Sequence, residues 1–261
     1  MTRHAIIAAL ALAAPALAGT LHDTDVILEE ADGALTTNRV VGGDTTEPDR
    51  VFDADMISFF GNIVTDDPGF NSRLGALPAF MVLSLDFAAP LKVWNGNGFD
   101  AVPETHYLET EFNNQTAQTP LNEGEIVTGP LMNVTQFGDI HNHADHFLNV
   151  DEIPGIYLGS FQFSASSLED SEVFYFVYRW EPTSGDIPAA ELEQQIAIQW
   201  VRDNLLTEPC PADLNDDNAV NGSDLAVLLA AWGSPDADLN GDGTTNGSDL
   251  AVLLAAWGVC P

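Results

Sequence analysis

The densest run of metal-capable side chains is Asp139–Phe147, DIHNHADHF, which holds His141, His143 and His146. On an extended strand, residues two apart share a face. His141 and His143 therefore fall together, with Asp139 and Asp145 on the same parity. Two imidazoles with a carboxylate nearby suit zinc, copper, nickel or iron. His146 has the opposite parity and joins only where the strand bends or bulges near Ala144-Asp145. His106, in another expected strand, is a candidate fourth ligand from across the sheet. The bland alternative is a polar rim whose histidines only hydrogen-bond. Clustering in a chain with 6 histidines among 261 residues favours the metal.

A second constellation is written twice near the end of the sequence. The stretch Asn221–Gly233, NGSDLAVLLAAWG, returns letter for letter as Asn246–Gly258. Each copy is preceded by an acidic run, so that oxygen side chains fall at positions 1, 3, 5, 9 and 12 of a loop. They are Asp213, Asn215, Asp217, Asn221 and Asp224 in the first copy, and Asp238, Asn240, Asp242, Asn246 and Asp249 in the second. Position 7, Ala219 or Thr244, lends a backbone carbonyl, so its side chain is free to vary. A hard cation that takes six to eight oxygens is wrapped by such a loop, which points to two calcium ions. Each loop runs into a short amphipathic helix. Leu225, Leu228, Leu229 and Trp232 form one stripe; Leu250, Leu253, Leu254 and Trp257 form the other. One such helix is marginal alone, and the duplication lets two stripes bury each other.

These loops and helices resemble type I dockerins, with Asp224 and Asp249 at the last ligand position where ordinary EF-hands carry Glu. The resemblance implies a pseudo-twofold calcium module that docks onto a cohesin-like domain. Asn218 stands where the family has glycine, and Gly222-Ser223 and Gly247-Ser248 where it carries its recognition pairs. A second resemblance is spread over DPGFNS (67–72), LKVWNGNGFDAVPETHYL (91–108), the His-x-His stretch, GIYLGSFQFSA (155–165) and DSEVFYFVYRW (170–180). It is similar to the zinc-regulator-repressed extracellular family of anchor-bearing bacterial proteins (the PEP-CTERM type). That implies a secreted β-rich domain with zinc on the histidines.

The elements that must position these residues are mainly β. Segments 79–87, 106–112, 157–165 and 172–180 are rich in aromatic and β-branched residues and are punctuated by Gly, Pro, Asn and Asp. In the third, Tyr157, Gly159, Phe161 and Phe163 alternate with Leu158, Ser160 and Gln162, a half-buried strand pattern. Short strands with frequent turns predict a β-sandwich. One helix follows, starting at Pro188, with Leu192, Ile196 and Trp200 at helical spacing as its packing stripe. The expected organisation is a signal peptide at 1–18, a β-sandwich domain at 19–206 and a small all-α calcium-binding module at 207–261. Cys210 and Cys260 bracket that module, and a disulfide between them would staple it.

Arg3, the apolar run Ala5–Leu17 and the small residues Ala16 and Ala18 have the form of a secretory signal, so the mature chain is expected outside the cytoplasm. Asp and Glu number 40 against 7 Lys and Arg, a formal charge of −33. Such a surface repels phosphate backbones and anionic lipid, which argues against nucleic-acid binding and membrane insertion. Catalytic signals are thin. No G-x-S-x-G elbow occurs, and a cupin reading of His141-x-His143 lacks a later histidine. A binding or structural role is the expectation. The alternative is an exported polysaccharide-acting enzyme or carbohydrate-binding module carried on a dockerin.

Overall fold

The computed structural model describes residues 21, 24–42, 45–182, 188–206, 210–215, 217 and 219–259. The expected signal peptide lies outside them. In chain order the first strands are β1 (Val26–Ala31), β2 (Ala34–Gly42), β3 (Thr45–Pro48), β4 (Val51–Phe59), β5 (Asn62–Thr65), β6 (Phe70–Asn71), β7 (Val82–Phe87) and β8 (Lys92–Trp94). There follow β9 (Phe99–Ala101), β10 (Tyr107–Phe112), β11 (Gln115–Gln118), β12 (Leu131–Asn133), β13 (His141–Asn142), β14 (Asp145–Asn149), β15 (Gly155–Ala165) and β16 (Phe174–Trp180). Then come α1 (Pro188–Leu205), β17 (Ala219–Val220), α2 (Gly222–Ala230), α3 (Gly247–Ala255) and β18 (Gly258–Val259). The chain is thus a mixed-β domain followed by a small helical region. It divides into two compact units, one through Ile198 and one from Gln199, so the division falls inside α1.

Two mixed sheets make the β domain. The smaller has the order β13-β6-β1-β2-β3, with β1 parallel to β6 and β13 antiparallel to β6. The larger runs β11-β10-β14-β5-β4-β16-β15-β7-β12, with β16 parallel to β4. Local chemistry sets the hairpins. The β1–β2 turn is Asp32-Gly33, both at positive φ (54° and 89°), the geometry that the right-handed strand twist demands of a two-residue loop. The β4–β5 turn is Phe60-Gly61, with φ 49° and 84°.

Aromatic residues fill the core shared by the two sheets. Phe70 of β6 meets Phe163 of β15 edge to face at 5.0 Å, and Phe163 stacks on Phe174 of β16 at 5.4 Å. The half-buried pattern expected for β15 gives way to burial of both faces. Tyr157, Phe161 and Phe163 are buried, and so are Leu158 and Ser160 on the other parity. The strand is central, held by β16 on one side and β7 on the other.

The helix at 188–205 forms as expected but shows a different face. Leu192 is 62% exposed and Ile196 52%, while Gln194, Ala197, Ile198 and Val201 are buried. A polar group anchors that buried face beside its apolar residues. The Gln194 side-chain amide donates to the carbonyls of Val177 at 2.9 Å and Ala54 at 3.3 Å. The Leu192–Ile196–Trp200 spacing imitates a core stripe, but it lies on the flank away from that anchor.

In the C-terminal unit, Asn221 and Asn246 cap α2 and α3, each reciprocated by the carboxylate three residues on. The buried core is Ala212, Val220, Leu228, Ala237 and Leu253, with Leu225 and Leu250 packed against it. The expected stripes are therefore only half used: Leu229, Leu254 and both tryptophans are exposed. The repeats are joined by backbone. Ala219 and Val220 pair with Val259 and Gly258, and Thr245 exchanges hydrogen bonds with Gly233 and Ser234. For the expected Cys210–Cys260 staple, no disulfide joins two described residues. Cys260 lies outside them, and Cys210, which is not a free thiol, packs beside the core.

Candidate metal centres

Among the described residues, two groups of side chains bring ligand atoms within 4.8 Å of one another: Asp25 with His141 and His143, and Asp213 with Asp217 and Asp224.

The first group is assembled by the smaller sheet. Asp25 immediately precedes β1, His141 opens β13, and β6 lies between them. The strand ends at Asn142, and His143 sits in the break before β14. The two imidazoles face each other with Nε2 to Nε2 at 3.3 Å, and Asp25 Oδ2 is 3.8 Å from His141 Nε2. His143 Nδ1 lies 2.9 Å from the Asp66 carbonyl, so it is the protonated nitrogen and leaves the Nε2 lone pair pointing at His141. A cation placed between the two Nε2 atoms would take a lone pair from each ring. Nitrogens bound at about 2.0–2.1 Å to one tetrahedral ion stand about 3.3–3.4 Å apart, which matches the spacing here. Asp25 is buried, and its carboxylate accepts from Gly69 N–H at 3.1 Å and the Asn71 amide at 3.2 Å. Those bonds fix its orientation, as outer hydrogen bonds do for metal ligands. The donor set of two imidazole nitrogens and one carboxylate fits zinc or another transition ion.

The other expected members of this site lie elsewhere. His146 turns into the core, where its Nδ1 is 2.9 Å from the Tyr178 hydroxyl and 3.3 Å from the Thr110 hydroxyl. Its Nε2 is buried with no hydrogen-bond partner, and the ring packs against Phe161 and Phe176. Burial lowers its pKa from 6.5 to about 3, so it is a neutral core side chain. The break at His143-Ala144 does not bring it round to the other parity. His106 lies just before β10, on a turn closed by its N–H to the Pro103 carbonyl, and pairs with Asp151 at 3.2 Å. Asp139 binds the Thr135 hydroxyl and backbone. Asp145 is exposed, and its pKa is raised by partial burial and then by the charge of Asp66. Asp25 is the candidate ligand that pattern reading missed. It carries no local signal, being one of 40 acidic residues and far upstream of the histidines.

The second group lies in the first C-terminal loop. Asp224 is buried beneath the loop and accepts from Leu214 N–H at 2.9 Å, Asn215 N–H at 3.3 Å and Asn221 N–H at 2.8 Å. Burial pushes its pKa up, but these backbone donors prevail and hold it below the ordinary value; Asp249 behaves alike. Asn215 and Asn221 both direct amide nitrogens at Asp217, and the Asn221 amide also reaches the Ala219 carbonyl at 3.0 Å. Asp213, Asp217 and Asp224, at positions 1, 5 and 12, thus converge, and positions 3, 7 and 9 hydrogen-bond beside them. Oxygens around one ion at about 2.3–2.6 Å are at most about 5 Å apart, which the 4.8 Å grouping satisfies. In the second loop Asn240 and Asn246 reach Asp242, Asn246 reaches the Thr244 carbonyl at 2.8 Å, and Asp249 accepts from Leu239 and Asn246. Asp238 there turns to its own backbone, accepting from Gly241, Asp242 and Gly243. Gly243 closes that bond at φ 90°, where a side chain would be strained.

No protein-family model matches the chain, and no curated protein matches it. No helix among the described residues is long and apolar enough to cross a membrane.

Proposed function

We propose that this is an exported binding or structural protein organised by two kinds of metal ion. On this reading the two sheets, which share one core, are the layers of a sandwich. Its edge carries a zinc-type centre on Asp25, His141 and His143. The C-terminal unit is a dockerin-like module ordered by two calcium ions, and it docks the protein onto a cohesin-like partner. The single observation that carries the reading is the pair of imidazole Nε2 atoms 3.3 Å apart beside a buried, doubly hydrogen-bonded carboxylate. The calcium half is supported by the convergence of Asp213, Asp217 and Asp224, and by the same ligand order in the second loop.

Elemental analysis of the purified full-length chain tests both halves. The expected content is one zinc and two calcium per chain. Replacing His141 and His143 with Ala removes the zinc and leaves the calcium; replacing Asp224 and Asp249 with Ala does the reverse. Zinc retained by the double histidine variant overturns the assignment of the first centre.

A further inference from the structure

The Asp25 side chain and the His141 and His143 pair come from two distant places in the chain, yet all three lie around one short stretch, Gly69–Asn71. Gly69 N–H donates to Asp25 Oδ1, its carbonyl accepts from Val26 N–H at 2.9 Å, and Asn71 pairs with His141 in the β6–β13 register. The His143 ring lies directly over the Gly69 α-carbon. A Cβ built there would stand 2.6 Å from Cε1, 2.7 Å from Nε2 and 2.8 Å from Nδ1 of that ring. Real Cβ atoms do not approach so closely, so the imidazole holds its place only because residue 69 has no side chain. The backbone at Gly69 is not in the left-handed region, so conformational freedom is not what demands glycine there. The space under His143 is.

We infer that Gly69 is a positioning residue of the transition-metal centre: its bare α-carbon is the floor under His143, and its N–H orients Asp25. The inference rests on the zinc-type reading of that centre. Gly69 touches no ion itself. It acts by keeping His143 Nε2 at 3.3 Å from its neighbour while His143 Nδ1 donates to the Asp66 carbonyl. Adding one methyl group tips the ring off this floor and breaks the chelate, with every ligand still present. Groups that orient metal ligands from outside typically change affinity by about 10–100-fold when removed.

The experiment is a zinc competition titration against a chromophoric chelator, on the full chain, for wild type, Gly69→Ala, His143→Ala and the double variant. Expected is a 10–100-fold loss of zinc affinity in Gly69→Ala and no further loss when Gly69→Ala is added to His143→Ala. Cobalt(II) provides a readout that a general fold defect would not mimic: the visible ligand-field band of the wild type should weaken or shift in Gly69→Ala. The melting temperature of the metal-free variant should stay close to that of the metal-free wild type, while the rise on adding zinc disappears. Wild-type affinity in Gly69→Ala, or an equal loss in the His143→Ala background, overturns the inference alone. A wild-type chain that binds no zinc overturns it together with the reading on which it rests.

Discussion

His146 shows how one side chain can satisfy a composition argument and fail a geometric one. Parity alone set it on the opposite face from His141 and His143, and the core received it. Its chemistry there is a pH liability. The folded pKa is about 3 against 6.5 for the free side chain, so between those values the unfolded chain binds a proton that the folded chain refuses. The stability this residue permits is therefore fully present above pH 6.5. It declines as pH falls toward 3, with a limiting slope of about 1.4 kcal/mol per pH unit. Urea unfolding at several pH values should show that slope in the wild type, and a shallower one in His146→Leu. Parallel profiles would contradict the buried, neutral state. Asp25 is the opposite case: essential to the proposed centre, yet illegible, because nothing in the letters around it distinguishes it from other acidic residues. Only the parallel pairing of β1 with β6 and the antiparallel pairing of β13 with β6 bring it to the histidines.

At the scale of elements, extents were easier to read than faces. The range of α1 follows from Pro188 and its run of helix formers, but its buried side carries Ala197, Ile198 and Val201 with Gln194, a residue a hydrophobic count discards. Gln194→Ala removes two hydrogen bonds to strand carbonyls, so it should destabilise the β domain by about 1–3 kcal/mol. Leu192→Ala, at an exposed position, should cost well under 1 kcal/mol. A denaturation midpoint series decides between them; equal effects would mean that the apolar stripe is buried after all. In α2 and α3 the legible features are the caps. Asn221→Ala and Asn246→Ala each remove a cap, at about 1 kcal/mol per helix, and in calcium each should also weaken ion binding. Helical circular dichroism titrated with calcium measures both effects. The stripes of these helices were over-read: in helices this short only Leu228 and Leu253 reach full burial, since the two repeats meet over a small area.

At the scale of the whole molecule, a chain of formal net charge −33 carries sites that bring carboxylates together. Asp213, Asp217 and Asp224 repel one another without a counter-ion, and the apolar core beside them is small. Chelating calcium from the full-length protein should lower helical ellipticity and remove a low-temperature unfolding transition, leaving the β-domain transition in place. A chelator-insensitive melt would show that backbone hydrogen bonds alone hold the loops. The division into a mixed-β domain and a helical tail was legible from strand composition and duplication. The pairing order of the sheets was not, because it depends on contacts between segments far apart in the chain.

The proposed centre at Asp25, His141 and His143 has a mechanical consequence. An ion there fastens the start of β1 to the segment between β12 and β14, enclosing every strand from β1 to β12. Such a fastening restricts the unfolded chain as any long-range link does. Reducing agents leave it intact, whereas protons compete with the metal for imidazole nitrogen. For a chain expected to work outside the cytoplasm, acidification rather than redox state would be the condition that unbuckles it.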